Sequence, residues 1–230
     1  MDKVAPFGSS HAEVAQGRAV EKAEIEWRDG VPVARAFEDP YYSLQNGVAE
    51  TRHVFLSGNA LPDRFRPGFQ IAELGFGTGL NALVTAQVAT IPVNYKAYEA
   101  FPLSRDDLAR ALALFPELDA TPLLDQWPAE LLTLGSLDVT LTFADARTAL
   151  PAWAGQADAW YLDGFSPARN PELWGETLMA DVARHTAPGG TFATYTAAGH
   201  VRRALSAAGF EVMRVPGFGR KRHMSKGILR

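Results

Sequence analysis

Residues 69–81 read FQIAELGFGTGLN, and the architecture follows from this stretch. FQIAEL (69–74) is a short apolar run of strand length, and a helical pattern begins at Leu80 and runs to about Ala89. Three glycines, Gly75, Gly77 and Gly79, separate the two. A strand, a glycine-rich turn and a helix form the opening unit of an open α/β sheet, whose ligands bind beyond the carboxyl ends of the strands. Downstream, apolar runs recur at NYKAYEA (94–100), LDVTLTF (137–143), ADAWYLD (157–163) and TFATYT (191–196). Helical segments alternate with them: one opens near Ser104, a plausible N-cap, one covers roughly Glu172 to Thr186, and VRRALSAAG closes on Gly209. Pro188-Gly189-Gly190 is read as punctuation before the fifth strand. FEVMRV and KGIL supply two last strands, close enough to pair as an antiparallel edge hairpin. The expected α/β fold is a doubly wound, mostly parallel, seven-stranded sheet with helices on both faces.

Upstream of Pro67 the pattern differs. AEIEWRDGVPVARAF reads as two short strands around Asp29-Gly30, a hairpin signal, and Asn46 to Leu56 reads as a helix. Residues 1–20 are small and polar and are expected to be loosely ordered; 21–66 form a preamble packed on the main domain, 67–230. Of the 230 residues 47% are hydrophobic and 21% charged, enough apolar content for a sizeable core. There is no cysteine, which excludes disulfides, thiolate nucleophiles and Cys-ligated metals. The five histidines show no ligand spacing, so no metal is expected. The N-terminus has no signal-peptide core and no stretch is long and apolar enough for a membrane span, so the expected location is the cytoplasm. Charge is uneven: residues 1–200 carry 14 Lys and Arg against 25 Asp and Glu, a net −11, whereas 201–230 carry 8 against 1, a net +7. A basic end on an acidic body either presents a positive face to a polyanion or is a solvated edge.

The glycine spacing is G-x-G-x-G, without the last glycine of a dinucleotide loop and without the Gly-Lys-Ser/Thr of a P-loop. Glu73 beside it would repel a phosphate and suits a cationic ligand such as a sulfonium amino acid. Two further acids stand at successive strand ends. Glu99 can accept hydrogen bonds from both hydroxyls of a ribose, and Asp145 can receive an adenine amino group. Each alone is equally well a helix cap; the three in order point to S-adenosylmethionine. Asp163 in DGFSPARNP (163–171) brings an acid, the aromatic Phe165 and a proline-stiffened turn to the same rim.

ELGFGTGLN (73–81), YEAFPLSRDDL (98–108), WYLDGFSPARNPELW (160–174), GFGRKRHMSKGIL (217–229) and DPYYSLQNGVAETRHVFLSGN (39–59) resemble the methyltransferase domain of the tRNA 5-methylaminomethyl-2-thiouridine biosynthesis enzymes. The resemblance runs from about Ile25 to Leu229. It implies a Rossmann-like class I methyltransferase acting on the exocyclic amine of 5-aminomethyluridine at the tRNA wobble position, with S-adenosylmethionine as cofactor. Many members carry a fused FAD-dependent oxidase; the chain ends at Arg230, so the expectation is either a stand-alone form, with a separate oxidase as a candidate partner, or a chain whose second domain is not included, and no oxidase activity is carried over. On this reading Gly75, Gly77 and Gly79 line the methionine end with Glu73 near its amino group, Glu99 holds ribose and Asp145 holds adenine. Phe76 lies against the cofactor or is packing only. Asp163 orients the substrate amine or accepts its proton. Tyr41 and Tyr42 cover the cofactor, stack on a flipped uridine, or pack in the core. Phe165 faces the transferred methyl, and Arg220, Lys221 and Arg222, within a cluster that includes Arg202, Arg203 and Lys226, contact the tRNA backbone.

Three alternatives remain at this level. A methyltransferase of a small molecule or protein would share the cofactor site. A non-catalytic nucleic-acid-binding module would have no need of the glycine loop and Glu99. A NAD-linked dehydrogenase is disfavoured by the glycine spacing.

Overall fold

Eight strands form the main sheet in the computed structural model, which describes residues 21–43 and 46–230. The expectation for residues 1–20 lies outside the described residues. Before the main sheet, β1 (Ile25–Arg28) and β2 (Val31–Ala34) pair antiparallel around Asp29 and Gly30, both at positive φ, and β3 (Asp39–Pro40) adds to β2. Two successive positive φ values make the tight turn whose twist suits a hairpin. The expected 46–56 helix is α1 (Gly47–Thr51), capped by the Asn46 side chain, followed by a π-helical turn at Arg52–Leu56.

The main sheet begins with β4 (Gln70–Leu74) and α2 (Leu80–Ala86), then β5 (Val93–Tyr98) and α3 (Arg105–Leu112), where Ser104 accepts a bond from the Asp107 N–H. Next come α4 (Thr121–Gln126), β6 (Leu131–Leu134), β7 (Leu137–Thr142), α5 (Ala146–Ala149) and β8 (Ala157–Leu162). The chain ends with α6 (Glu176–Arg184), β9 (Thr186–Thr194), α7 (Gly199–Ala207), β10 (Phe210–Pro216) and β11 (His223–Leu229). The sheet order is β10-β11-β9-β8-β4-β5-β7-β6; β4, β5, β7, β8 and β9 are parallel, whereas β6 and the β10–β11 pair are antiparallel edges.

Three sequence expectations need correction. The sheet has eight strands, because Leu131–Leu134 turns through Gly135 (φ 59°) and pairs with β7. The Pro-Gly-Gly segment lies within β9, which starts at Thr186 and not at 191. The helix expected over 172–186 is a short 3-10 turn at Pro171–Trp174, then α6 from Glu176.

β8 is buried along its whole length. From Ala159 onward its side chains alternate between two cores: Ala159 and Tyr161 face one, Trp160 and Leu162 the other. The chain runs from β4 outward to β5 and β7, then returns to β8 and β9 on the other side. The strand order therefore reverses between β4 and β8, and a crevice opens beyond their carboxyl ends.

Candidate active site

A cavity of about 610 Å³ occupies that crevice, a size that accepts a cofactor and a small reacting group. Gly75, Phe76, Gly77, Glu99, Asp145, Asp163, Phe165, Tyr42 and Lys221 all border it. Gly75 has φ 74°, and a β-carbon there would stand 2.9 Å from the Gly164 Cα, so only glycine lets the β4 and β8 loops meet. Gly77 has φ 56° and donates its N–H to Glu99 Oε2 at 2.7 Å. The Phe101 N–H binds the other oxygen, Oε1, at 2.8 Å. Each Glu99 oxygen keeps a lone pair for a ligand hydroxyl. Burial pushes this carboxyl above its ordinary range, and its backbone hydrogen bonds partly offset that rise.

Asp163 follows β8 directly. Its Oδ2 accepts from Asn81 Nδ2 at 2.8 Å, and the Asn81 amide also donates to Glu73 Oε1 at 2.7 Å. Thr51 donates its hydroxyl to Asn81 Oδ1 at 2.7 Å, which fixes the amide's orientation. Burial raises Asp163 to about 6; hydrogen bonds from Gly164 and Asn81 and the charge of Lys221 pull the other way. The Tyr195 hydroxyl donates to the Gly164 carbonyl at 2.9 Å and holds the same turn.

Glu73 does not do what its sequence position suggests. It is fully buried on the Ile71 face of β4, beneath α2, and Tyr95 donates to its second oxygen at 2.9 Å. Strand alternation puts residues 71 and 73 on one side, so the carboxyl enters the core and not the cavity. Burial drives it well above the usual carboxylate range. Gly79 likewise is absent from the cavity wall; a β-carbon there would strike Leu123 and Phe76.

The other expected residues divide. Asp145 caps α5 and lines the cavity, but Arg147 grips both its oxygens, Nε at 3.0 and 2.9 Å, and lowers its pKa chiefly through those bonds. Phe76 is buried and stacks on Trp127 at 6.0 Å. Tyr42 donates its hydroxyl to the Ala111 carbonyl, and burial pushes it up to about 12, so only its ring is offered to the cavity. Phe165 stacks on Phe37 at 4.6 Å and meets the Tyr41 edge at 5.2 Å, which roofs the cavity with the N-terminal segment. Asp39 secures that roof by accepting the Ser166 N–H at 2.7 Å. Lys221 turns inward and donates to Glu50 at 2.7 Å, whereas Arg220 and Arg222 are exposed and have no ion pair among the described residues. Asn81, Glu50, Tyr195 and Arg147 were not singled out from sequence. Only Asn81 had a local signal, its place at the end of the glycine motif.

Comparison with known proteins bears on this arrangement. Residues 119–230 match the model of an S-adenosyl-L-methionine-dependent methyltransferase family. Bifunctional tRNA 5-methylaminomethyl-2-thiouridine biosynthesis proteins are similar: that of Chromobacterium violaceum is 44% identical over 90% of this chain and 34% of its own length. That of Caulobacter vibrioides is 49% identical over 85% of this chain and 36% of its own. The chain spans about a third of the length of these curated relatives. The crystal structure of MnmC2 from Aquifex aeolicus has the same fold, with a TM-score of 0.71 at 23% identity over 91% of this chain and 71% of that one.

The cavity fits S-adenosylmethionine, the cofactor of the matched family. Six carboxylates, Asp39, Glu50, Glu99, Asp145, Asp163 and Glu172, border it against Arg147, Arg169 and Lys221, a balance that favours a sulfonium cation. The two open lone pairs of Glu99 suit a ribose diol, and the aromatic roof suits a purine or pyrimidine ring.

Proposed function

We propose that this chain methylates the exocyclic amine of 5-aminomethyl(-2-thio)uridine at the wobble position of tRNA. The observation that carries the reading is one cavity holding Gly77, Glu99 and Asp163, with exposed Arg220 and Arg222 on the hairpin loop that supplies Lys221 to its wall. The names of the curated relatives supply the substrate class. When bound, S-adenosylmethionine supplies an electrophilic methyl group on a sulfonium. Glu99 would hold the ribose hydroxyls. Asp145 would reach the adenine amino group only if Arg147 shares it.

Asp163 would accept a hydrogen bond from the substrate N–H and aim the nitrogen lone pair. A carboxylate near 6 is ionised in neutral solution, so it is competent to accept that bond. It is too weak a base to hold the proton of a water-exposed alkylammonium, so orientation is its main work; burial of the amine lowers the cost of losing the proton. Phe165 and the Tyr41 ring would stack on the flipped base. Arg220 and Arg222 would meet phosphates of the anticodon arm. A tRNA substrate would place the protein in the cytoplasm, and an FAD-dependent oxidase, fused or separate, would generate the amine.

The test is to incubate the protein with labelled S-adenosylmethionine and tRNA with or without the aminomethyl group, then identify the methylated nucleoside. Label confined to aminomethyl tRNA, falling steeply as salt rises, is expected. Label on neither tRNA, or equal label on both, would overturn the substrate.

A further inference from the structure

The wall of the cavity carries a cation of its own. Lys221 sits on the loop between β10 and β11, and its ammonium donates to Glu50 Oε1 at 2.7 Å. The same nitrogen lies 4.1 Å from the centre of the Tyr195 ring, close cation–π range. Asp163 completes the surroundings, because Tyr195 is bonded to Gly164, the residue after it, and the Lys221 charge acts on its carboxyl. Glu50 reaches this place from α1, whose last residue, Thr51, holds the Asn81 amide that fixes Asp163. A carboxylate, an aromatic face and a second carboxylate are the parts from which alkylammonium sites are made.

The two partners in the ion pair differ in exposure. The Glu50 side chain is 11% exposed and that of Lys221 is 44% exposed. The acid belongs to the wall, whereas the lysine reaches in from solvent on a flexible four-carbon stem. An ion pair with one half-exposed partner is weakly held and exchangeable.

We propose that Glu50, the Tyr195 ring and Asp163 form a subsite for an alkylammonium group, and that Lys221 fills it as an internal plug until a substrate ammonium displaces it. The proposal rests on the reading of this chain as an amine methyltransferase, and it names a subsite and an occupant which that reading does not require. Once displaced, Lys221 joins exposed Arg220 and Arg222 on the loop, where a phosphate would receive it. Arrival of a polyanion and opening of the amine site are thereby coupled. A free amine without phosphates meets the plug.

Titration calorimetry on the full chain saturated with S-adenosylhomocysteine tests this, using 5-aminomethyluridine nucleoside as probe and 5-hydroxymethyluridine as its neutral counterpart. Lys221→Met keeps the apolar stem and removes the competing charge. It is expected to bind the amine nucleoside about three- to tenfold tighter, while the hydroxymethyl nucleoside changes less than twofold. Glu50→Gln is expected to weaken the amine nucleoside at least about tenfold and to leave the neutral one unchanged. Equal or weaker amine binding by a folded Lys221→Met protein overturns the plug, as does a Glu50→Gln protein that binds the amine like wild type. The tRNA assay separates the two ideas: wild type inactive on every aminomethyl tRNA sinks the substrate reading, whereas active wild type with no tightening in Lys221→Met sinks the plug alone.

Discussion

β8 carries an aspartate at each end, and the two are used in opposite ways. Asp158, at the start, accepts from Arg66 Nη2 at 2.8 Å and from the Gln70 N–H at 2.9 Å, so both its oxygens are engaged. Arg64 adds bonds to the Asp158 and Asn59 carbonyls, each at 3.0 Å, and ties the strand end to the preamble. Asp163, one step past the other end, has a hydrogen bond from Asn81 but no direct ion pair among the described residues. Burial raises it to about 6. A paired acid steadies the sheet; a half-satisfied acid at the switch-point crevice stays available to a ligand. Geometry explains the asymmetry, since parallel strands bring their loops together only at the carboxyl ends, where the strand order reverses.

Replacing each acid in turn should separate these roles. Asp163→Asn is expected to lower kcat at least about a hundredfold, the scale of losing the orientation of a reacting group, with the fold intact. The wild-type kcat/KM should show an acid limb near pH 6 that the mutant lacks. The same substitution bears on stability. In the folded state the carboxyl keeps its proton up to about 6, whereas the unfolded chain releases it near 3.8. The Asp163 contribution is therefore fully present below pH 3.8 and is lost as pH rises to about 6. Urea titrations of wild type and mutant should differ by that falling slope. Equal slopes, or an unchanged kcat, would make Asp163 another structural acid like Asp158.

Glu99→Ala removes two charge-assisted bonds to ligand hydroxyls, about 1.5–3 kcal/mol each, so calorimetry should show S-adenosylmethionine affinity lowered by at least about tenfold. Asp145→Ala should cost less than about threefold, because Arg147 already occupies both its oxygens. A larger loss at Asp145 than at Glu99 would reverse the roles assigned along the rim.

Asp158→Ala is expected to lower unfolding free energy by about 1–3 kcal/mol, through the stranded Gln70 N–H and the lost Arg66 bond. Activity at 25 °C should stay within about twofold, because Asp158 lies at the far end of the strand. Chemical denaturation beside initial rates reads both quantities.

The sequence determined the alternation of strands and helices from residue 69, the positive-φ turns at Asp29-Gly30 and in the glycine loop, and the order in which Glu99, Asp145 and Asp163 follow their strands. These features are local: apolar period, glycine placement and strand-end position are written within a few residues of one another. Leu131–Leu134 was missed because four residues offer too short a pattern, and only pairing with β7 makes them a strand. Tertiary structure alone decided which acids reach a ligand. Glu73 and Glu99 look equivalent in the chain and point to the same side of the sheet, yet Glu73 lies within β4 beneath α2, whereas Glu99 stands one residue past the end of β5 and reaches the cavity. Glu50, Asn81, Tyr195 and Lys221 lie on α1, α2, the end of β9 and the last hairpin loop, up to 171 residues apart. No spacing in sequence brings them together. Their meeting depends on the crevice between β4 and β8, which exists only once the strands are ordered in space.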